Sequence, residues 1–243
     1  MVDVGIEKLR FFFPFCILYK HVFKLYMCVL IDFPNYSIQD LSKASEIPQI
    51  KNVLILMMIL NKSAERIQSN KVLTMLECVS AEEADKQPSP RVVNCHYPPR
   101  YLPLEDMKAQ QIKTVLCLRN PKDTAVSYYN HMKGIKMYEY EGKWENWISG
   151  FAEGKYEYGK YSQYLLEWQR EVEKQEYPLH VMFYEDLKMK IVMAVKEQCR
   201  SSRQVGDWKN WFTVAQNEMF DDIWKKDTKD LTMFKFKYTN GSA

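Results

Sequence analysis

Glycine is scarce in this chain, with eight among 243 residues. So few glycines leave little room for loops that cradle phosphates with backbone N–H groups. No GxxxxGK[ST] stretch occurs, which argues against the phosphate loop of a nucleotide kinase. The six cysteines (Cys16, Cys28, Cys78, Cys95, Cys117 and Cys199) form no CxxC pair and show no zinc-ligand spacing. They read as reduced thiols of a cytoplasmic protein without a metal. An excess of one charge is also missing. The 34 basic and 31 acidic residues leave a net charge of +3, too small to argue for nucleic acid or an anionic membrane as partner. It still allows a local basic pocket for a small anion. No apolar run is long enough to span a bilayer. The very apolar "RFFFPFCILY" (10 to 19) is interrupted by Pro14, lacks a small-residue cleavage site after it and is closed by Lys20, His21 and Lys24. It reads as a buried soluble segment rather than a targeting sequence.

The composition that remains is that of an ordinary globular protein, 47% hydrophobic and 27% charged. The length suits a single α/β domain, and no repeat, low-complexity tract or clear linker divides residues 1–243. "NVLILMMIL" (52 to 60) predicts a buried helix, and the polar "SAEEADKQPSP" (80 to 90) a loop. "RVVNCH" (91 to 96) predicts a strand. "IKTVLCL" (112 to 118) predicts another, apolar on both faces as in a covered parallel sheet. A helix follows to about Lys133, started by Asn120 as N-cap, Pro121 at the first helical position and Asp123 at the third. Residues 143–154 and 160–174 predict two more helices, "LHVMFYED" (179 to 186) a strand with a helical segment after it, and 212–226 a last helix. Strands alternating with helices imply a parallel sheet flanked by helices.

The stretch "LRNPKDTAVSYYNH" (118 to 131) concentrates the chemistry. A strand that turns sharply into a helix is a common setting for a bound phosphate. Arg119 at the strand end can grip one with two parallel hydrogen bonds. Ser127 shares a helical face with positions 123 and 124 and can aim its hydroxyl the same way. The alternative is a surface ion pair between Arg119 and Asp123, with Ser127 solvated. His96 ends a predicted strand before a proline-rich turn, where it is either a general base or a partly buried histidine bonded to the backbone. Tyr184 ends the strand at 179 and either packs or reaches a phosphate or a purine.

Taken in order, four segments resemble the cytosolic sulfotransferases, which move a sulfuryl group from the nucleotide donor PAPS. "PSPRVVNCHYPPRYLP" is similar to the family's "PSPRVLKTHLPYxLLP", and "KTVLCLRNPKDTAVSYYNH" to "KVIYVxRNPKDxxVSYYxF". "FYEDLK" matches the strand end "YEDM", and "VGDWKNWFTVAQNEMFDDIW" resembles "GDWKNxFTVAQNExFDxxY". The resemblance covers most of residues 62–226. It implies an α/β fold related to nucleotide kinases, PAPS as co-substrate and a small phenol, alcohol or amine as acceptor. It implies that His96 is the catalytic base, that Arg119 and Ser127 hold the 3′-phosphate, and that Tyr184 contacts the nucleotide. Lys209, Thr213, Val214 and Glu218 fit the family's KxxxTVxxxE dimer contact.

Three departures from the pattern make this an atypical or truncated member with an incomplete fold. Where the family has "YPKSGTTW", the chain has "LSKASEIPQIKN" (41 to 52), without glycine and with Pro48 removing an N–H donor. Asn94 stands where the family has a lysine two residues before the histidine. The segment between "YEDLK" and "GDW" is shortened and lacks the family's lid. In it Arg203, or Arg200, stands in part for an arginine of the donor site. A catalytically impaired protein that binds or dimerises is the alternative these departures leave open.

Overall fold

The computed structural model describes residues 27–32, 76, 80, 91–134, 138–186 and 205–239. Within them a four-stranded sheet runs in the order β2-β1-β3-β4. Its strands are Met27–Asp32 (β1), Arg91–Cys95 (β2), Lys113–Leu118 (β3) and Leu179–Phe183 (β4). Five α-helices accompany it, Leu104–Ala109 (α1), Pro121–Gly134 (α2), Trp144–Glu153 (α3), Tyr161–Lys174 (α4) and Val214–Asp227 (α5). This is the expected α/β class, and the predicted strands and helices at 91–96, 112–118, 121–133, 143–154, 160–174, 179–186 and 212–226 each fall on an element of the same kind. The helix expected over 52–60, the departures at 41–52 and Arg203 lie outside the described residues.

β3 is an inner strand because its side chains can face the interior on both sides, and Thr114 through Leu118 are all buried. It pairs in parallel with β4, Leu118 opposite Phe183. The connection between them holds α2, α3 and α4, the long crossover that a parallel pair requires. β1 has no counterpart among the predicted elements. It runs antiparallel to both β2 and β3, so these two strands point the same way with β1 between them.

The helices dock through stripes of large side chains. On α3 the buried Trp144, Trp147, Ile148 and Phe151 follow the i, i+3, i+4, i+7 spacing of one helix face. On α4 Tyr161, Tyr164, Leu165 and Trp168 do the same. Gly154 ends α3 in the left-handed region at φ 74°, where any Cβ would stand 2.7 Å from the backbone nitrogen of Lys160. α5 begins at Thr213, whose side chain accepts from the Gln216 backbone while the Gln216 side chain accepts from the Thr213 backbone. Lys122 on α2 fastens α5 by donating to Asn217 Oδ1 at 2.7 Å and Asp221 Oδ2 at 2.8 Å.

After α5 the chain returns past α4 to the carboxyl end of β4. Gln169 takes the N–H groups of Thr232 and Met233 and donates to the Asp230 carbonyl. Further on, the Phe236 ring meets Phe183 edge-on at 5.7 Å, at the carboxyl end of β4.

Trp147 lies at the centre of this packing. It is fully buried, stacks on Tyr156 at 3.9 Å, meets Tyr128 edge-on at 5.1 Å and donates from Nε1 to the Ala125 carbonyl at 3.3 Å. Replacing it with alanine is expected to cost about 3–5 kcal/mol of stability, read from urea denaturation midpoints. A loss under about 1 kcal/mol would show that this side chain does not organise the core.

Candidate functional site

The sheet register brings the candidate residues to one edge. Cys28 of β1 lies opposite Cys95 on one side and Leu116 on the other. Cys95 and Leu116 therefore share a row, and His96 comes level with the carboxyl end of β3, two strand spacings or ~10 Å away. Carboxyl ends of strands at such an edge are where open α/β sheets bind ligands. His96 is buried at 2% exposure, and its ring lies 5.6 Å from that of Tyr158. Tyr158 in turn lies 5.9 Å from Tyr128.

The turn from β3 into α2 is held on every side. Asn120 caps the helix, its Oδ1 accepting from the Asp123 backbone at 2.8 Å. Its Nδ2 donates back to Asp123 Oδ2 at 2.8 Å. The same Asp123 carboxylate accepts from the backbone N–H groups of Gly206 at 2.9 Å and Trp208 at 3.0 Å. One carboxylate thus joins the helix start to a turn more than eighty residues away in sequence. The backbone carbonyl of Arg119 accepts from the Tyr161 hydroxyl at 2.9 Å.

Arg119 is buried, with its guanidinium 4.5 Å above the centre of the Tyr184 ring. Such stacking holds the planar cation in one orientation. Its Nη2 stands 3.9 Å from Asp123 Oδ2, a Coulombic contact too long for a hydrogen bond. The surface ion pair that the sequence left open therefore takes another form, since Arg119 and Asp123 are 2% and 1% exposed. Ser127 is not solvated either. It is buried on α2, and its hydroxyl has no hydrogen-bond partner among the described residues. A buried hydroxyl in that state is ready to donate to an anion.

Glu185 completes the group. It is fully buried, and its Oε1 accepts from both the backbone N–H of Asn120 at 2.8 Å and its Nδ2 at 3.0 Å. Its Oε2 has no partner among the described residues. Burial pushes the Glu185 carboxyl above the usual carboxylate range, against the opposing pull of the Asn120 N–H and the Arg119 charge. Burial likewise raises the Tyr184 phenol, and pushes the Cys117 thiol up to about 12, which keeps that thiol protonated and unreactive.

Of the positions flagged from sequence, the structure brings Arg119 and Tyr184 into contact, sets Ser127 on the helix that follows, and puts His96 at the same sheet edge. Lys209, Thr213, Val214 and Glu218 lie apart from it, on the turn before α5 and on its first turns. All four are exposed, Val214 at 76%. Sequence reasoning missed Glu185, which follows Tyr184 directly in "FYEDLK" but gains meaning only from the β3–β4 register. Among the described residues no helix is long and apolar enough to cross a membrane.

Comparison with known proteins identifies the class. The family model for the sulfotransferase domain matches residues 44–201. The chain belongs to the sulfotransferase family, whose chemistry is sulfuryl transfer. It is 29% identical over 203 residues to Sulfotransferase 1A1 of Rattus norvegicus, covering 64% of this chain and 68% of that protein. It is 30% identical over 199 residues to Sulfotransferase 1B1 of Canis lupus familiaris, covering 63% and 66%. The match thus spans about two thirds of these relatives' own length. Among solved structures, mouse sulfotransferase SULT7A1 complexed with PAP shares the fold, with a TM-score of 0.52 at 21% identity over 68% of this chain and 79% of that one.

The raised Glu185 carboxyl has a consequence for stability. A carboxyl whose folded value lies above its unfolded one contributes stability that is fully present at low pH and lost as pH rises through the folded value. Glu185→Gln removes that loss. The gap in urea midpoint between the variant and the original is expected to move in the variant's favour as pH rises from about 4 to about 8. Parallel pH profiles would show that ionising Glu185 costs the fold nothing.

Proposed function

We propose that the chain transfers a sulfuryl group from PAPS to the hydroxyl or amine of a small-molecule acceptor, with His96 as general base. The whole of residues 1–243 is read as one sulfotransferase-like domain. Arg119 and Ser127 hold the donor's 3′-phosphate, Tyr184 packs against its nucleotide, and Arg203 adds positive charge. The observation that carries this reading is the conjunction of a stacked, oriented guanidinium at the end of β3 with the buried Ser127 hydroxyl, unpartnered among the described residues, on the helix that begins there. These groups fit an anion: one offers charge and forked N–H donors, the other a desolvated O–H. PAPS supplies the sulfuryl group and leaves as the bisphosphate PAP. His96 takes the acceptor's proton as the acceptor oxygen or nitrogen bonds to sulfur and the bond from sulfur to the phosphate oxygen breaks. The ring of Tyr158 beside His96, followed by Tyr128, supports an apolar or aromatic acceptor. The buried, free thiol of Cys117 suits a reducing compartment, and we place the protein in the cytoplasm.

Transfer of label from PAPS to a simple phenol tests the reading, alongside calorimetry with PAP. Replacing His96 with alanine is expected to lower turnover by about 10²–10⁴-fold while PAP affinity holds. Replacing Arg119 with alanine is expected to weaken PAP itself. Undiminished turnover without His96 would remove it as the base.

Val214 is a large apolar side chain left in solvent beside Lys209, Thr213 and Glu218. We assign these four residues to a homodimer contact. Val214→Glu is expected to convert a dimer to a monomer in light scattering, with the same far-UV spectrum. An unchanged mass would exclude this surface.

A further inference from the structure

We propose that Glu185 is a positioning residue for the anion site, holding the Arg119–Asn120 turn in the geometry that grips a phosphate. The inference rests on the reading of Arg119 as the anion-holding group. It starts from register. β3 and β4 are parallel, with Leu118 opposite Phe183. Continuing in step past the last paired residues sets Arg119 beside Tyr184 and Asn120 beside Glu185. Both contacts are present: the Tyr184 ring lies under the Arg119 guanidinium at 4.5 Å, and the Glu185 carboxyl takes the Asn120 backbone at 2.8 Å and side chain at 3.0 Å. Two consecutive residues of one strand end thus clasp two consecutive residues of the other.

The clasp matters because the turn has another pull on it. Asn120 Nδ2 is shared among Glu185, Asp123 and the Lys237 carbonyl. Only Glu185 among these also holds the Asn120 backbone N–H, and so fixes the peptide that joins Arg119 to the helix. Without it the backbone that carries the guanidinium can tilt, and small misplacements of a positioned group cost binding steeply. The work is done by one acceptor oxygen. Oε2 contributes no hydrogen bond to the described residues, and burial favours the uncharged form. A neutral acceptor of the same length therefore suffices.

The test compares adenosine 3′-phosphate with adenosine 5′-phosphate by calorimetry. The original protein is expected to prefer the 3′-phosphate. Glu185→Leu is expected to bind the 3′-phosphate about tenfold more weakly, as disturbance of a buried hydrogen-bonded group implies, with the 5′-phosphate unchanged. Glu185→Gln, which keeps an acceptor at the same reach, is expected to restore the preference. If the original protein shows no preference for the 3′-phosphate, the reading of Arg119 fails, and this proposal falls with its premise. If that preference exists and survives in Glu185→Leu, Glu185 positions nothing. Equal loss for both nucleotides would mark a general structural role, and a Gln variant as poor as Leu would mean that charge rather than the acceptor acts; either result overturns the proposal. Should the Leu variant not fold, Glu185→Asp, one carbon too short to reach Asn120, gives the same reading.

Discussion

The parallel pairing of β3 with β4 is the constraint on which the candidate site depends. Each strand runs on into a dipeptide whose side chains find partners on the other strand's end. Arg119 needs a surface to orient its charge, and Asn120 needs an acceptor for an amide at the mouth of a helix. Tyr184 and Glu185 need partners for a ring and a buried carboxyl. Pairing in register meets these requirements together. The long crossover through α2, α3 and α4 is what permits the parallel pairing, and the aromatic stripes of α3 and α4 anchor that crossover in the core.

The surroundings of Arg119 also show how a buried cation is oriented by its neighbours. Asp123 is near enough to compensate the charge, yet it spends its oxygens on Asn120 Nδ2, Gly206 and Trp208. Tyr184 offers a π face, which orients the guanidinium without neutralising it. The Glu185 carboxyl beside the turn is pushed by burial toward its uncharged form. The guanidinium is thereby held in one orientation within a buried cluster whose other members have fixed partners of their own.

Much of the fold was legible in the chain because its elements are strongly patterned. The unbroken apolar β3, the i, i+3, i+4, i+7 stripes of α3 and α4, and the Asn-Pro start of α2 each carry their own signal. β1 was not legible. "MCVLID" is a short apolar run in a long apolar region, and no periodicity distinguishes a strand from a helix over six residues. Of the site, Arg119 and Ser127 stood out by residue type beside a strand-to-helix turn, and Tyr184 by its place at a strand end. The roles of Asp123 and Glu185 did not, because a carboxylate's partners are set by tertiary contact. Asp123 reads from sequence as a helix-start residue and an ion-pair partner for Arg119, and its ties to Gly206 and Trp208 span more than eighty residues.

The reversed direction of β1 shapes what the sheet edge can offer. β2, β3 and β4 present their carboxyl ends to the side where His96, Arg119 and Tyr184 lie. β1, between β2 and β3, presents its amino end there, with Met27 opposite Cys117. The chain therefore arrives at β1 on that side and departs on the far side. The middle lane of the edge is an entrance rather than an exit, so β1 cannot lead there into the start of a helix. Within the described residues the strand-to-helix turn that carries Arg119 stands beside this lane, where β3 gives way to α2.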